Sequence, residues 1–106
     1  MLKNLSRYGT ASLLLFAGSS LILAQTGADT YKAKCQMCHG ATGLGDTPAG
    51  KAMKARPFNS PDVLKESDAD LIAIIKNGKN KMSAFAGKLT DIQINDVLAF
   101  IHTLPK

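Results

Sequence analysis

Both cysteines of this 106-residue chain lie in one short motif, Cys35-Gln36-Met37-Cys38-His39-Gly40, which also contains one of its two histidines. No other segment restricts the fold so strongly, because it concentrates the reactive side chains at one point. On a helix, Cys35 lies three residues from Cys38 and four from His39, and both spacings place side chains on the same side. Two thiols and an imidazole are therefore predicted to point towards one common object.

Three kinds of site use such a cluster: a zinc site, a redox dithiol and a covalently attached haem. A structural zinc site needs four ligands, commonly from two such pairs, and the chain has no second pair. A thioredoxin-like dithiol belongs beside a strand–helix–strand pattern, which is missing from the sequence. Cys-x-x-Cys-His is the attachment signature of c-type haem, in which both thiols bind the porphyrin and the histidine binds the iron. Haem attachment is therefore the preferred interpretation.

The first 24 residues have the pattern of a secretory signal peptide. A start with two basic residues is followed by the apolar run TASLLLFAGSSLILA and then by small and polar residues. The run is shorter than the roughly 17–25 residues of a membrane span, so cleavage after Ala24 is preferred to an uncleaved tether. The sequence thus predicts a signal peptide over residues 1–24 and one domain over residues 25–106, located in the periplasm or otherwise exported.

Composition and periodicity predict a small all-α domain. Hydrophobic residues make up 45% and charged residues 20%, and the net charge of +5 is not gathered into a stripe that would bind nucleic acid. One main helix is predicted over about Thr26–Met37. A second is capped by Ser67 and ended by Gly78, and a third opens with the capping-box pair Thr90 and Gln93. So small a domain has a limited core, which a buried cofactor would extend.

Shorter helical segments and the surroundings of the haem can also be predicted. A glycine-rich loop follows the motif, and Lys51–Ala55 is predicted as one turn of helix. Ser60 and Pro61 are the expected N-cap and first residue of another short helix. The apolar side chains predicted to surround the haem are Leu44, Phe58, Leu71, Ile75, Phe85 and Leu98.

Iron bound by His39 has a sixth coordination position, for which the chain after the predicted signal peptide offers three methionines and one further histidine. Met37 lies inside the attachment motif, and Met53 follows closely after the glycine-rich loop. His102 lies on the last helix, where a surface or half-buried position is expected. Met82 lies in the loop between the second and third main helices, where the chain can reach the other face of the ring. Met82 is therefore the preferred ligand.

The chain after the signal peptide resembles the class I cytochromes c over nearly its whole length. The resemblance rests on CQMCHG, GLGDTPAG, MSAF and LTDIQINDVLAFI, which stand in the family's order and approximate spacing. It implies the small cytochrome c fold, with three main helices and long loops around one haem c bound through Cys35 and Cys38. The family usually has Met-Pro-x-Phe where this chain has Met82-Ser83-Ala84-Phe85, so the stiffness of this loop needs another source.

The resemblance also assigns supporting roles. The carbonyl oxygen of Pro48 is expected to accept a hydrogen bond from Nδ1 of His39, which would fix the orientation of the imidazole. Gly27 and Tyr31 of the first helix are expected to meet the last helix, with the glycine permitting a close crossing. Both roles concern positioning of the site rather than its chemistry.

Iron held by one imidazole and one thioether has no open position for a substrate, so the predicted function is transfer of single electrons rather than catalysis. A second class of function would keep the haem but let Met82 leave the iron, which would open it to peroxide or a diatomic gas. Basic residues near the predicted haem loops indicate docking to acidic redox proteins, including membrane complexes. These residues are Lys51, Lys54, Arg56, Lys76, Lys79, Lys81 and Lys88. Arg56 is also expected to pair with a haem propionate.

Overall fold

The computed structural model describes residues 19–106, with side chains from residue 26 onward. Its helices are α1 (Ser19–Lys34), α2 (Gln36–His39), α3 (Pro48–Met53), α4 (Pro61–Leu64), α5 (Asp68–Asn77) and α6 (Asp91–Ile101). Over these residues there are two isolated β-bridges but no strand, which confirms the predicted all-α class. No helix in this part of the chain combines the length and apolarity that a membrane span needs. Most of the predicted signal peptide lies outside the described residues.

The ends of α5 and α6 follow the predicted capping chemistry. The hydroxyl of Ser67 accepts a hydrogen bond from the N–H of Asp70 at 3.1 Å, and Gly78 ends α5 with a φ of 78°. At α6, the hydroxyl of Thr90 accepts from the N–H of Gln93 at 3.1 Å, while the Gln93 side chain accepts from the N–H of Thr90 at 2.9 Å. Each of these bonds satisfies a backbone donor that the first helical turn leaves unpaired.

The first main helix differs from its predicted bounds. It begins earlier, at Ser19, and ends at Lys34, so the prediction of one helix through Met37 was wrong. Cys35 interrupts the helix with a φ of −118°. The interruption is slight, because the N–H of Cys35 still bonds to the carbonyl of Tyr31 at 2.9 Å and α2 begins at once.

The loop after the motif contains a helix that was predicted too far along the chain. Helix α3 begins at Pro48, not at Lys51, because Thr47 is its N-cap and Pro48 its first residue. The helix ends at Met53, where Lys54 follows in the left-handed conformation. Helix α4 starts as predicted, with Ser60 as the N-cap residue.

The crossing of α1 and α6 confirms the predicted role of Gly27. A Cβ atom added at Gly27 would collide with the carbonyl group of Asp96 and would lie 3.3 Å from Cβ of Phe100. One turn further along α1, the ring of Tyr31 packs against that of Phe100 with 5.2 Å between centroids. The fully buried side chains of the described residues are Tyr31, Ile94 and Val97. The core therefore forms where the two ends of the domain cross.

Replacing Gly27 with alanine is expected to lower the free energy of unfolding by about 1–3 kcal/mol, since overpacking a close crossing forces backbone shifts. Denaturant unfolding of the haem-loaded protein measures this. The control is Ala33→Gly at an exposed position of the same helix, which measures helix propensity alone. It should lower the free energy of unfolding by about 0.5–1 kcal/mol. Helix propensity alone would make the Gly27→Ala variant more stable than the parent protein. A more stable variant would therefore contradict the close crossing of the two helices.

Candidate functional site

A cavity of about 290 Å³ opens beside the core and unites the parts of the sequence predicted to hold the haem. Cys35, Cys38 and His39 line it, and Met82 lines it from a loop far along the chain. Most of the predicted apolar surroundings also line the cavity, namely Phe58, Leu71, Ile75, Phe85 and Leu98. The sequence motif and the distal loop therefore meet at one largely apolar space, as predicted.

Leu44 is the exception, and its predicted place around the haem was wrong. Its side chain is 41% exposed, and it does not line the cavity. Gly43 and Gly45 on either side of it are buried and have positive φ values of 78° and 64°. The glycines turn the chain tightly inward at both neighbouring positions, so the intervening side chain faces solvent.

The thiol of Cys35 does not have the character of a reactive redox cysteine. Cys35 and Cys38 are not joined by a disulfide, and burial raises the pKa of Cys35 to about 11. Redox-active cysteines instead have pKa values lowered by neighbouring positive charge or a helix N-terminus.

Among the residues with described side chains, no group of three His, Cys, Asp or Glu is placed to hold a metal ion.

Helix α3 positions the motif through Thr47 and Gly50. The hydroxyl of Thr47 donates to the carbonyl oxygen of Met37 at 2.6 Å and lies 3.3 Å from that of Cys38. The hydroxyl oxygen of Thr47 also accepts a hydrogen bond from the N–H of Gly50 at 2.9 Å. A Cβ atom at Gly50 would collide with the carbonyl oxygen of Cys38, so α3 can pack this closely only with glycine. Sequence reasoning missed this contact, although Thr47 followed by Pro48 is the same start signal as Ser-Pro at α4.

The imidazole of His39 is partly buried and packs against an aromatic ring. The ring of Phe58 stacks on it, with 4.7 Å between centroids and an interplanar angle of 27°. Burial lowers the pKa of His39, and the positive charge of Arg56 lowers it further. Both effects favour the neutral imidazole, which is the form that binds metals. The stacking role of Phe58 was not predicted, since it depends on a loop brought beside the motif.

The predicted hydrogen bond between His39 and Pro48 is not formed. Nδ1 of His39 is buried and has no hydrogen-bond partner among the described residues. Pro48 instead occupies the first position of α3, directly after the Thr47 cap. A role of Pro48 towards the imidazole stays a prediction.

Tyr31 connects the helix crossing to the motif. Its hydroxyl donates to the carbonyl oxygen of Gly40, the residue after His39, at 2.7 Å. Burial, together with the nearby thiol of Cys35, raises the pKa of Tyr31 to about 12. The phenol therefore stays protonated and keeps donating this hydrogen bond across the physiological pH range.

The remaining candidates for the sixth ligand occupy different environments. Met37 is 75% exposed and does not line the cavity. The imidazole of His102 is 43% exposed and lies 2.8 Å from the carboxylate of Asp68, so its predicted surface position is confirmed. Met53 lines the cavity but is 45% exposed. Met82 lines the cavity and packs against the core.

Backbone hydrogen bonds fix Met82 in a tight turn. The N–H of Met82 donates to the carbonyl of Lys79 at 2.9 Å, and the N–H of Lys79 donates to the carbonyl of Met82 at 3.2 Å. Asn80 in this turn has a φ of 53°, a left-handed conformation that asparagine adopts more readily than most residues. The N–H of Phe85 then bonds to the carbonyl of Ile75 at 3.0 Å. The loop is thus restrained on both sides of Met82 without the proline of the family pattern.

The rim of the cavity carries positive charge. The basic residues that line it are Lys34, Lys54, Arg56, Lys79 and Lys81, and no acidic residue with a described side chain lines it. Two predicted docking lysines have local contacts instead: Lys76 pairs with Asp91 at 3.0 Å, and Lys88 lies over the ring of Phe85. Lys51 is exposed and does not line the cavity.

Comparison with known proteins agrees with this geometry. The family model described as "Cytochrome C oxidase, cbb3-type, subunit III" matches residues 23–101. Cytochrome c6 of Nostoc sp. is 38% identical over 85% of this chain and 81% of its own length. Cytochrome c6 of Synechococcus elongatus is 39% identical over 71% of this chain and 83% of its own length. A solved structure, the KustC0563 c-type cytochrome, has a TM-score of 0.68 and 29% identity, and the match covers 76% of this chain and 98% of that one.

A helical domain with a two-cysteine motif beside an apolar cavity is the arrangement that c-type cytochromes use to hold haem. The chain belongs to the monohaem class I cytochromes c, a family of electron carriers. Its cofactor is one covalently bound haem c, and Cys35 and Cys38 are the only cysteines to which it can be attached. The apolar lining, with both thiols and the imidazole of His39 on it, fits such a group.

Proposed function

We propose that this chain is an exported one-electron carrier whose haem iron is held by His39 and Met82. The observation that carries the proposal is that both side chains line the same cavity as the two attachment thiols. When bound, the haem supplies a single-electron couple that neither makes nor breaks a covalent bond. The protein would act by holding that couple in a fixed, apolar environment, with no catalytic reaction of its own.

The two proposed ligands are positioned by separate parts of the fold. Phe58 stacks on His39 and limits its rotation, while the tight turn at Lys79 holds Met82. A rigid site suits electron transfer, because ligands that stay in place need little rearrangement when the charge on the iron changes. The backbone restraint of Met82 supports stable ligation over a labile ligand that would open the iron to peroxide or gas.

The basic rim supports docking to acidic redox partners. The cavity is the place where electrons would enter and leave, and its charged lining residues are all cationic among those described. Positive charge around a redox site raises the rate of encounter with negatively charged surfaces. Donors and acceptors with acidic docking faces, including membrane complexes, fit this rim.

Export is proposed from the first 24 residues, which have the basic start and apolar run of a signal peptide. Export also fits the two thiols, because haem attachment to a Cys-x-x-Cys-His motif is a maturation step of exported proteins. A domain tethered by an uncleaved N-terminal segment is the alternative.

A redox titration of the exported, haem-loaded protein tests the proposed function. We expect a reversible one-electron transition, and mass spectrometry should find haem on the peptide that contains Cys35 and Cys38. Irreversible titration, binding of peroxide to the oxidised protein, or binding of carbon monoxide to the reduced protein would contradict a simple carrier.

Oxidation by small inorganic complexes of opposite charge tests the basic rim. Oxidation by ferricyanide should slow as ionic strength rises, and oxidation by tris(phenanthroline)cobalt(III) should accelerate, because salt screens the rim charge. Lys81→Gln should lower the ferricyanide rate at low salt by about two- to fivefold. Lys32→Gln, on an exposed residue that does not line the cavity, is the matched control. Equal effects of the two variants would exclude local steering at the cavity.

A further inference from the structure

Glu66 is an acidic residue placed between two of the cations of the cavity rim. Its carboxylate lies 3.3–3.5 Å from the guanidinium nitrogens of Arg56 and 3.8 Å from Nζ of Lys79. The Glu66 side chain is 19% exposed, whereas those of Arg56 and Lys79 are 36% and 47% exposed. The carboxylate is therefore the most buried member of the cluster.

The three residues come from separate segments and differ in their relation to the cavity. Arg56 precedes α4, Glu66 follows it, and Lys79 follows α5. Arg56 and Lys79 line the cavity, whereas Glu66 contacts both of them but does not line it. Through these contacts the carboxylate of Glu66 restrains the positions of two cationic side chains, Arg56 and Lys79, at the rim of the cavity.

This arrangement matters for a redox site because reduction adds one negative charge. Nearby cations favour the reduced state, and a nearby carboxylate favours the oxidised state. Side chains that are partly withdrawn from water are screened less than exposed ones, so the charge of Glu66 acts over a longer distance than a surface charge. The guanidinium has five N–H donors, so pairing with Glu66 leaves donors for a haem propionate.

We propose that Glu66 is a positioning residue that pairs with Arg56 and Lys79 at the haem cavity and, by offsetting part of their positive charge, lowers the midpoint potential of the haem. The inference rests on the proposed one-electron function and concerns the tuning of that same site. It adds a residue that the sequence motif does not reveal, because Glu66 becomes important only when the loops on either side of α4 and α5 come together.

The test compares Glu66→Gln with Asp62→Asn by redox titration of the haem-loaded proteins. Both substitutions remove one negative charge, but Asp62 is exposed in the first turn of α4 and makes no contact with the rim cations. We expect E66Q to raise the midpoint potential by more than D62N does. Arg56→Gln and Lys79→Gln should each lower it. In the double variant of Arg56 and Glu66 the two single shifts should not add, because the residues are in contact.

Several results would overturn the role of Glu66. Equal potential shifts in E66Q and D62N would do so, as would a lower melting temperature of E66Q with the wild-type potential retained, since that shows a purely structural role. If E66Q does not fold, Lys79→Gln at the half-exposed position decides the matter, and an unchanged potential there would also overturn the proposal. A wild-type protein without a one-electron couple would instead overturn the proposed function.

Discussion

Replacing Met82 with alanine is expected to remove the sulfur-to-iron charge-transfer band of the oxidised protein and to lower its midpoint potential. Thioether ligation stabilises reduced iron, and axial ligands set haem potentials over a range of about 0.8 V, so the fall should be on the order of 0.1 V or more. The variant should also bind carbon monoxide in the reduced state, which the parent protein should not. Near-infrared absorption and a redox titration measure these effects.

Met53→Ala is the matched control for this prediction, because Met53 is the other described methionine that lines the cavity. It removes the same atoms from a half-exposed position on α3 and should leave the band and the potential close to the parent values. If the Met53 variant lost the band and the Met82 variant kept it, the ligand assignment would be reversed. A parent protein without the band would mean that neither thioether binds the iron.

Replacing both Cys35 and Cys38 with serine is expected to abolish covalent haem attachment and, with it, cooperative folding. The buried hydrophobic residues of the described chain are Tyr31, Ile75, Leu89, Ile94, Val97 and Leu98. So small a core does not stabilise a domain of this length by itself, and the cavity beside it is lined mainly by apolar side chains. Without a group in the cavity, those side chains would be exposed to water.

Three measurements check this second prediction on the exported protein. The pyridine haemochrome spectrum should show no haem c, acidified organic solvent should extract any remaining pigment, and thermal unfolding followed by circular dichroism should lose its cooperative transition. Each single variant, Cys35→Ser or Cys38→Ser, should retain one thioether bond and an intermediate melting temperature. A double variant that melts like the parent would show that the polypeptide alone makes the fold.

Local signals in the sequence were sufficient to predict much of the fold. The caps at Ser67 and Thr90 and the stop at Gly78 are short-range features, because a side chain bonds to backbone three residues away or a glycine adopts a positive φ. The attachment motif is equally local. Met82 was preferred as the partner of His39 because of its position in a loop far along the chain, and both side chains line the same cavity.

Several features that depend on tertiary contacts were not predicted. Gly50 must be a glycine because α3 packs on the carbonyl of Cys38, and nothing in the glycine-rich loop distinguishes it from its neighbours. The stacking of Phe58 on His39 and the position of Glu66 likewise require distant segments to meet. Leu44 was misplaced for the related reason that apolar character does not reveal which way a turn faces.

The hydroxyl of Tyr31 connects the crossing of α1 and α6 to the haem-attachment motif. The same side chain packs on Phe100 of the last helix and donates to the carbonyl oxygen of Gly40, next to His39, the proposed iron ligand. We therefore expect that loosening of α1 against α6 changes the surroundings of the haem before the whole domain unfolds. The colour of the protein is thus a built-in reporter of how firmly its two ends are closed.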